Sequence, residues 1–536
     1  MKSQGLSFHH PIAFWSGCVA ITAGVLSHIP MFVHARHMNY HMAGMPMDTT
    51  MLVGMALIPL GLLMALYGLM PRLDQLRSAN ASELEFHVAD QVPLNPEHWS
   101  LVGVLLVAVI VDVMKPATLG FVMPGMTKEY DISSKASGTL ALVALTGTAI
   151  GSVVWGIVAD MFGRRAAILL SALMFISTAI CGAMPVFSWN LVMCFLMGLS
   201  AGGLLPITFT LMAESIPAVH RGWLLVALGG LGTAAGYLVA AGAAALLEPL
   251  FSWRILWMLG LPTGLLLIFL NRYIPESPRY LAGKGLYREA RQVLLRFNGN
   301  PSSNELAESE VIVEKGTPRG VTGLRQLLSE PYTGITIGLV AAGLAWGLVN
   351  FGFLLWLPTN LGALGLAEQA NSIIAQSAIF ALPGVGVVIW LYHRWSSIKA
   401  LVLFIVITGL ALLLFPLFYW FGSLTVATLS LSIALLLVSA SGIIAMLIPY
   451  AAEIYPVQLR GTGAGLVAGS SKFGGILGAI FGVAGVFDQI GFSAILITLA
   501  LLVSALLLIH NGIDTRGKRL EDVQADIFER SALNNK

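Results

Sequence analysis

The stretch ESIPAVHRG, Glu214 to Gly222, returns as EIYPVQLRG, Glu453 to Gly461. Both read Glu-x-x-Pro-x-x-x-Arg-Gly. Each follows a long apolar run and precedes a glycine-rich one. Self-similarity at equivalent places marks a chain built from repeated structural units. Here the unit is large, so each copy must hold several elements on either side of its loop.

The surrounding composition says what those elements are. Of 536 residues, 57% are apolar and only 10% charged, against about 25% charged in a soluble domain. Mean hydropathy is +0.83. Lipid is therefore the solvent for most of this chain. A helix needs about 20 apolar residues to cross the hydrocarbon core. Runs of that kind lie near residues 11–33, 51–70, 99–124, 136–159, 166–184, 187–213, 223–247, 253–274, 333–357, 371–392, 400–421, 424–452, 462–486 and 490–510. The first is longer than a usual signal-peptide core and reads as a retained helix, a cleaved signal being the alternative. With the first two runs set aside, the repeated loops fall after the fourth and tenth of twelve spans. This predicts an all-α membrane protein of two pseudo-symmetric six-helix bundles with two extra N-terminal helices. Its parts are an extension (1–98), a first bundle (99–274), a polar linker (275–332), a second bundle (333–510) and a tail (511–536).

Lys and Arg set orientation. With the N-terminus in the cytoplasm, only Arg36, Lys128, Lys135 and Arg254 of the 29 basic residues fall outside, and Lys115 and Lys472 fall within spans. Both termini are thus expected in the cytoplasm of an inner-membrane protein. Net charge is +2, which gives no reason to invoke nucleic acid. Cys18, Cys181 and Cys194 all lie in apolar runs without CxxC spacing, so they suggest neither disulfides nor zinc. There is no GxxxxGK[ST] loop for ATP and no nucleophile–base motif, so neither a pump nor an enzyme is expected.

Two further motifs accompany the repeat. GIVADMFGRR, Gly156 to Arg165, follows the second of the twelve spans, and PESPRYL, Pro275 to Leu281, follows the sixth. In this order and at these spans, the three motifs resemble the major facilitator superfamily, in its sugar-porter-like and organic-ion branch, over roughly residues 99–510. The resemblance implies alternating access by rocking of the two halves, and a cytoplasmic latch. The latch residues would be Gly156, Asp160, Gly163, Arg164, Arg165, Glu214, Arg221, Glu276, Arg279, Glu453 and Arg460. Their chemistry suits the role: glycine allows close helix approach, a carboxylate is favoured at a helix N-terminus, and arginine pairs with carboxylates in bidentate fashion. In the second half, His393 stands in the place of Asp160 and Ser396 in that of Gly163, so the second latch reads as degenerate.

Charges inside spans are costly and usually functional. Asp112 and Lys115 are three residues apart and can pair on one helix face; Pro116 follows. Lys472 lies in the eleventh of the twelve spans beside Ser470, Ser471 and two glycines. These residues suggest a proton taken up by Asp112 and an anionic group attracted by Lys115 or Lys472, the alternative being a static Asp112–Lys115 pair. The glutamine-rich motifs of sugar porters are missing, and Leu355-Trp356-Leu357-Pro358 looks more like the metabolite and aromatic-acid proton symporters. Trp346 and Trp356 are candidates for an aromatic pocket, and Asn350, Gln376 and Tyr237 for polar contacts within it. The expected function is proton-coupled transport of a small organic metabolite, organic anion over sugar, by a monomer in the lipid bilayer.

The loop between the two extra spans carries His34, His37, Met38, His41, Met42, Met45 and Met47. Imidazole and thioether suit copper, and Met selects Cu(I). This gives the alternative of transporting or sensing copper or another soft metal.

Overall fold

The computed structural model describes residues 10–69, 93–284, 286–298, 321–423, 425–516, 523 and 525–528. Among them, fourteen helices are long and apolar enough to cross a membrane. They are α1 (Pro11–Met38), α2 (Thr49–Leu69), α3 (Pro96–Glu129), α4 (Ser134–Phe162), α5 (Arg164–Ala183), α6 (Phe187–Ser215), α7 (Val219–Phe251), α8 (Ile255–Tyr273), α9 (Thr333–Leu366), α10 (Ala370–Arg394), α11 (Ser397–Trp420), α12 (Val426–Ile454), α13 (Thr462–Val483) and α14 (Ile490–Asn511). Each matches a run seen in the sequence. The helices α3–α8 form one six-helix bundle and α9–α14 the other.

One boundary differs in an instructive way. The ninth run was expected to end near residue 357, before Pro358, but α9 continues to Leu366. Proline inside a helix removes one backbone N–H and leaves the carbonyl four residues back without its donor. Membrane helices tolerate this when a neighbour supplies the missing bond. Here Tyr237 of α7 does so, its hydroxyl donating to the Leu354 carbonyl at 3.3 Å. Two wider π-type turns, Leu348–Phe353 and Gly362–Leu366, flank this segment, and Gly365 takes a positive φ of +83° within the second.

Small residues set the packing inside each bundle, as expected where lipid gives no hydrophobic drive between helices. A β-carbon on Gly198 would lie 1.9 Å from the Ala144 carbonyl, which joins α4 to α6. In the second bundle, one on Gly347 would lie 2.3 Å from the Ser471 carbonyl, and one on Gly474 would lie 2.2 Å from the Leu344 carbonyl. That close approach brings the Lys472 segment of α13 against α9.

The two extra helices form a hairpin through the same device. A β-carbon on Gly17 would sit 2.5 Å from the Gly61 carbonyl, and one on Gly24 would sit 2.7 Å from that of Gly54. The hairpin packs on α5 of the first bundle. Its loop is pinned by Glu129 at the end of α3, whose carboxylate accepts the backbone N–H groups of Met42 (2.8 Å) and Ala43 (3.2 Å). The same carboxylate holds the fully buried Arg254 at 2.6 Å. Arg254 is a buried tie that also donates to the Gly182 and Met184 carbonyls.

In the linker, a helix spans Tyr287–Asn298 and docks on the start of α3. Arg296 pairs with Glu97 at 2.6 Å, and Asn95 donates to the Phe297 carbonyl.

Candidate functional site

The two halves meet along four helix pairs: α3 with α9, α4 with α13, and α7 with both α10 and α12. Asp112 and Lys472 lie on α3 and α13, one in each half. The Asp112 side chain is buried, and its Oδ1 has no hydrogen-bond partner. The Lys472 ammonium acts electrostatically on it, and Asp112 acts on Lys472 in return. Among the described residues no ion pair joins Asp112 to either lysine. Lys472 also lies 6.0 Å from the ring centroid of Phe351, in the π turn of α9. Asn350, half-buried in that turn, has no hydrogen bond among the described residues. Such single-turn widenings of a helix are frequent at functional sites.

Lys115 goes elsewhere. Its fully buried side chain enters the interior of the first bundle, where Nζ donates to the Trp257 carbonyl at 3.2 Å and lies 4.8 Å from the Phe175 ring centroid. The expected pairing of Asp112 with Lys115 is therefore absent. Residues three apart on a helix differ by about 60° in direction, and here that angle separates the inter-half surface from the bundle core.

The aromatic candidates divide as well. Trp346 donates Nε1–H to the Ala440 carbonyl at 2.8 Å and stands edge-on to Phe351 at 5.9 Å. Trp356 is buried between the halves, and β-carbons on Gly138 of α4 and Gly482 of α13 would lie 2.7 and 2.5 Å from its ring. Tyr237 bonds across the halves, as described above. Gln376 lies apart from this group. It stands on the same exposed face of α10 as Phe380, Val387 and Trp390.

At the end of the bundle that carries the loop motifs, Arg164 pairs with Glu214 (3.3 Å) and with Asp160 (3.3 Å). Asp160 is 76% exposed. Glu276 takes the N-terminal position, accepting the Arg164 N–H at 2.7 Å and the Arg165 N–H at 3.3 Å. Three backbone donors and Arg164 favour its charged form, yet burial pushes its carboxyl up to about 7. Gly163 is required here: φ is +105°, and a β-carbon would lie 2.2 Å from a Glu276 carboxylate oxygen. Arg165 donates to the Asn271 amide oxygen at 2.9 Å, and Arg221 to the Ile216 carbonyl at 3.3 Å. Gly156 has open space around it. The side chains of Arg279 and Arg460 lie outside the described residues.

The second half is not bare at this place, contrary to the reading of a degenerate latch. Ser396 caps α11, and Asp514, just after α14, accepts from the Ser397 N–H (3.1 Å) and hydroxyl (3.0 Å). Thr515 donates to Glu453 at 2.6 Å, and Tyr392 donates to the same carboxylate at 2.9 Å. A carboxylate from the segment after the sixth helix of each half thus meets the N-terminus of the third. The sequence reading missed Asp514. Its signal was the position of Ile513-Asp514-Thr515-Arg516 after the twelfth core span, which mirrors that of Pro275-Glu276-Ser277 after the sixth.

The methionines of the His/Met loop serve packing. Met42 is fully buried with Met31, Phe32 and Met51, and Met45 and Met47 pack against this cluster. Met38 is exposed. His34 and His37 stand edge to face at 5.2 Å, and His41 lies 3.9 Å from Glu129. Among the described residues no group of three or more His, Cys, Asp or Glu side chains converges as metal ligands would. These contacts leave the soft-metal reading without support.

Comparisons with known proteins bear on the family and the fold. The family model described as Major Facilitator Superfamily matches residues 105–479. The chain is 27% identical over 441 residues to the niacin transporter NiaP of Acinetobacter baylyi, covering 81% of this chain and 98% of that protein. It is 29% identical over 437 residues to the 4-hydroxybenzoate transporter PcaK of Pseudomonas aeruginosa, covering 78% and 93%. In fold it is similar to the xylose transporter XylE from E. coli in a partially occluded inward-open conformation, with a TM-score of 0.64, 17% identity, and coverage of 79% of this chain and 100% of that one.

Proposed function

The chain belongs to the major facilitator superfamily, and on that premise we propose that it carries a small aromatic carboxylate across the inner membrane by proton-coupled alternating access. The observation that carries this reading is the placement of Asp112 and Lys472 in opposite halves. Each feels the other's charge without closing an ion pair. A buried carboxylate oxygen with no partner is costly, and buried ionisable groups at membrane depth serve substrate pathways and proton relays. Asp112 takes up the proton and Lys472 attracts the substrate carboxylate. Phe351 and Asn350, beside Lys472 on α9, meet the ring and its polar substituent.

The relatives support the substrate class. Niacin and 4-hydroxybenzoate are both aromatic monocarboxylates of similar size. The distribution of Lys and Arg supports cytoplasmic termini, which puts the Arg164–Glu214–Glu276 latch on the cytoplasmic side. The first-half and second-half latches then hold each bundle's cytoplasmic end, and the halves rock about the shared surface.

The test is counterflow into proteoliposomes with nicotinate, 4-hydroxybenzoate and xylose. Exchange of the two aromatic acids, not of the sugar, and its loss in Lys472→Gln are expected. Sugar exchange, or full aromatic-acid exchange in Lys472→Gln, would overturn the assignment.

A further inference from the structure

A polar bond crosses between the halves at the end opposite the Arg164 latch. Glu248 lies in the last turn of α7, and Asn371 in the first turn of α10. The Asn371 amide donates to a Glu248 carboxylate oxygen at 2.6 Å. The bond is short and partly buried. Neither residue belongs to a motif, and neither has a role in the site described above.

Its surroundings are a closed seam. Toward the middle of the same helix pair, a β-carbon on Gly230 of α7 would lie 2.8 Å from Val385 of α10. Nearby, the Tyr237 hydroxyl reaches the Leu354 carbonyl, and one on Gly120 of α3 would lie 2.4 Å from the Leu355 carbonyl. The contacts at Gly230 and Gly120 are apolar or backbone ones, which resist approach but give little directional hold. The Glu248–Asn371 bond joins one side chain to another across this seam.

We propose that Glu248 and Asn371 form a latch that holds the outer end shut, and that it must break each time the outer end opens. This rests on the alternating-access reading above, but not on the identity of the substrate. The Arg164–Glu214 pair lies within one half, whereas this bond spans both and reports directly on their separation.

The experiment needs no substrate. Cysteine replaces Asn350, and labelling by a membrane-impermeant maleimide from the outside is followed in intact right-side-out vesicles. Glu248→Ala and Asn371→Ala are each expected to raise the labelling rate several-fold, while Asn371→Asp, which places two carboxylates together, raises it further. In a second protein, Glu248→Cys and Asn371→Cys are added to Asn350→Cys and cross-linked to each other by a short bifunctional thiol reagent. Cross-linking should reduce outside labelling at position 350 to background, and a cleavable linker should restore it on reduction. Unchanged labelling in the alanine variants, or undiminished labelling in the cross-linked protein, would overturn the latch. If the latch result holds while counterflow fails for every acid, the substrate assignment fails alone.

Discussion

The Tyr237 hydroxyl donates to the Leu354 carbonyl, the carbonyl that Pro358, four residues on, leaves without a backbone donor. Sequence-local strain in one half is thus relieved by a side chain of the other. Tyr237→Phe should remove one hydrogen bond worth about 1 kcal/mol from the state in which these helices touch. Pro358→Ala gives the carbonyl its own helical donor. The double variant should therefore cost less than the sum of the single ones, the coupling expected of groups in contact. Thermal unfolding in detergent of the four proteins measures it, and strict additivity would show that the bond contributes nothing.

Gly120 allows the backbone of α3 to press on α9. The atom that a β-carbon would meet, at 2.4 Å, is the Leu355 carbonyl oxygen, which cannot rotate away as a flexible side chain would. Gly120→Ala should slow transport strongly while the protein still folds, because only the closed outer end needs this contact. Gly103→Ala, on the same helix with open space around it, should leave transport unchanged. Equal rates for both variants would contradict the close approach.

Glu276 gives a pH signature outside the membrane spans. Burial raises its carboxyl from the ordinary 4.5 to about 7. A raised folded value means that the folded state binds the proton more tightly than the unfolded one. The resulting stability is fully present below pH 4.5 and is lost as pH rises through 7. Glu276→Gln cannot titrate. The melting temperature of the natural protein relative to this variant should therefore fall between pH 5 and pH 8. A difference that stays constant, or grows with pH, would show that the backbone donors outweigh burial.

Glu129 balances the fully buried Arg254 and anchors the loop of the N-terminal hairpin. Removing one partner of a buried pair costs about 3–5 kcal/mol. Glu129→Ala should lower the melting temperature sharply and expose the 34–48 loop to protease. Asp160→Asn, which alters an exposed partner, should change stability by well under about 1 kcal/mol. Similar melting temperatures for the two variants would contradict the internal tie.

The fold was legible because its signals are local and repeated. Hydropathy marked all fourteen spans, and the paired Glu/Pro/Arg-Gly loops marked the two halves. The Arg164–Glu214 pairing lies within the first-half motifs for the same reason. What escaped depends on which way a side chain points. The spacing of Asp112 and Lys115 allowed a pair, yet the angle of about 60° between residues three apart on a helix sends Lys115 into the bundle core and leaves Asp112 facing the other half. Gln376 is a polar residue in an apolar span, which suggested a buried role, but its helix turns it to the exposed face. Asp514 was hidden by the change from Glu to Asp and from Pro to Ile in its motif, though its place in the repeat was visible. Glu248 and Asn371 look like ordinary helix-end polar residues, since nothing in sequence shows that α7 and α10 lie side by side. The methionines between Met38 and Met47 resembled a ligand set by composition, but Met42, Met45 and Met47 are used to seat the hairpin loop.

The most direct measurement is uptake of labelled nicotinate by proteoliposomes under an inward proton gradient, comparing the natural protein with Asp112→Asn. The natural protein should accumulate nicotinate, and the variant should exchange it across the membrane without accumulating it. Accumulation by Asp112→Asn at the natural rate and with unchanged pH dependence would contradict the account.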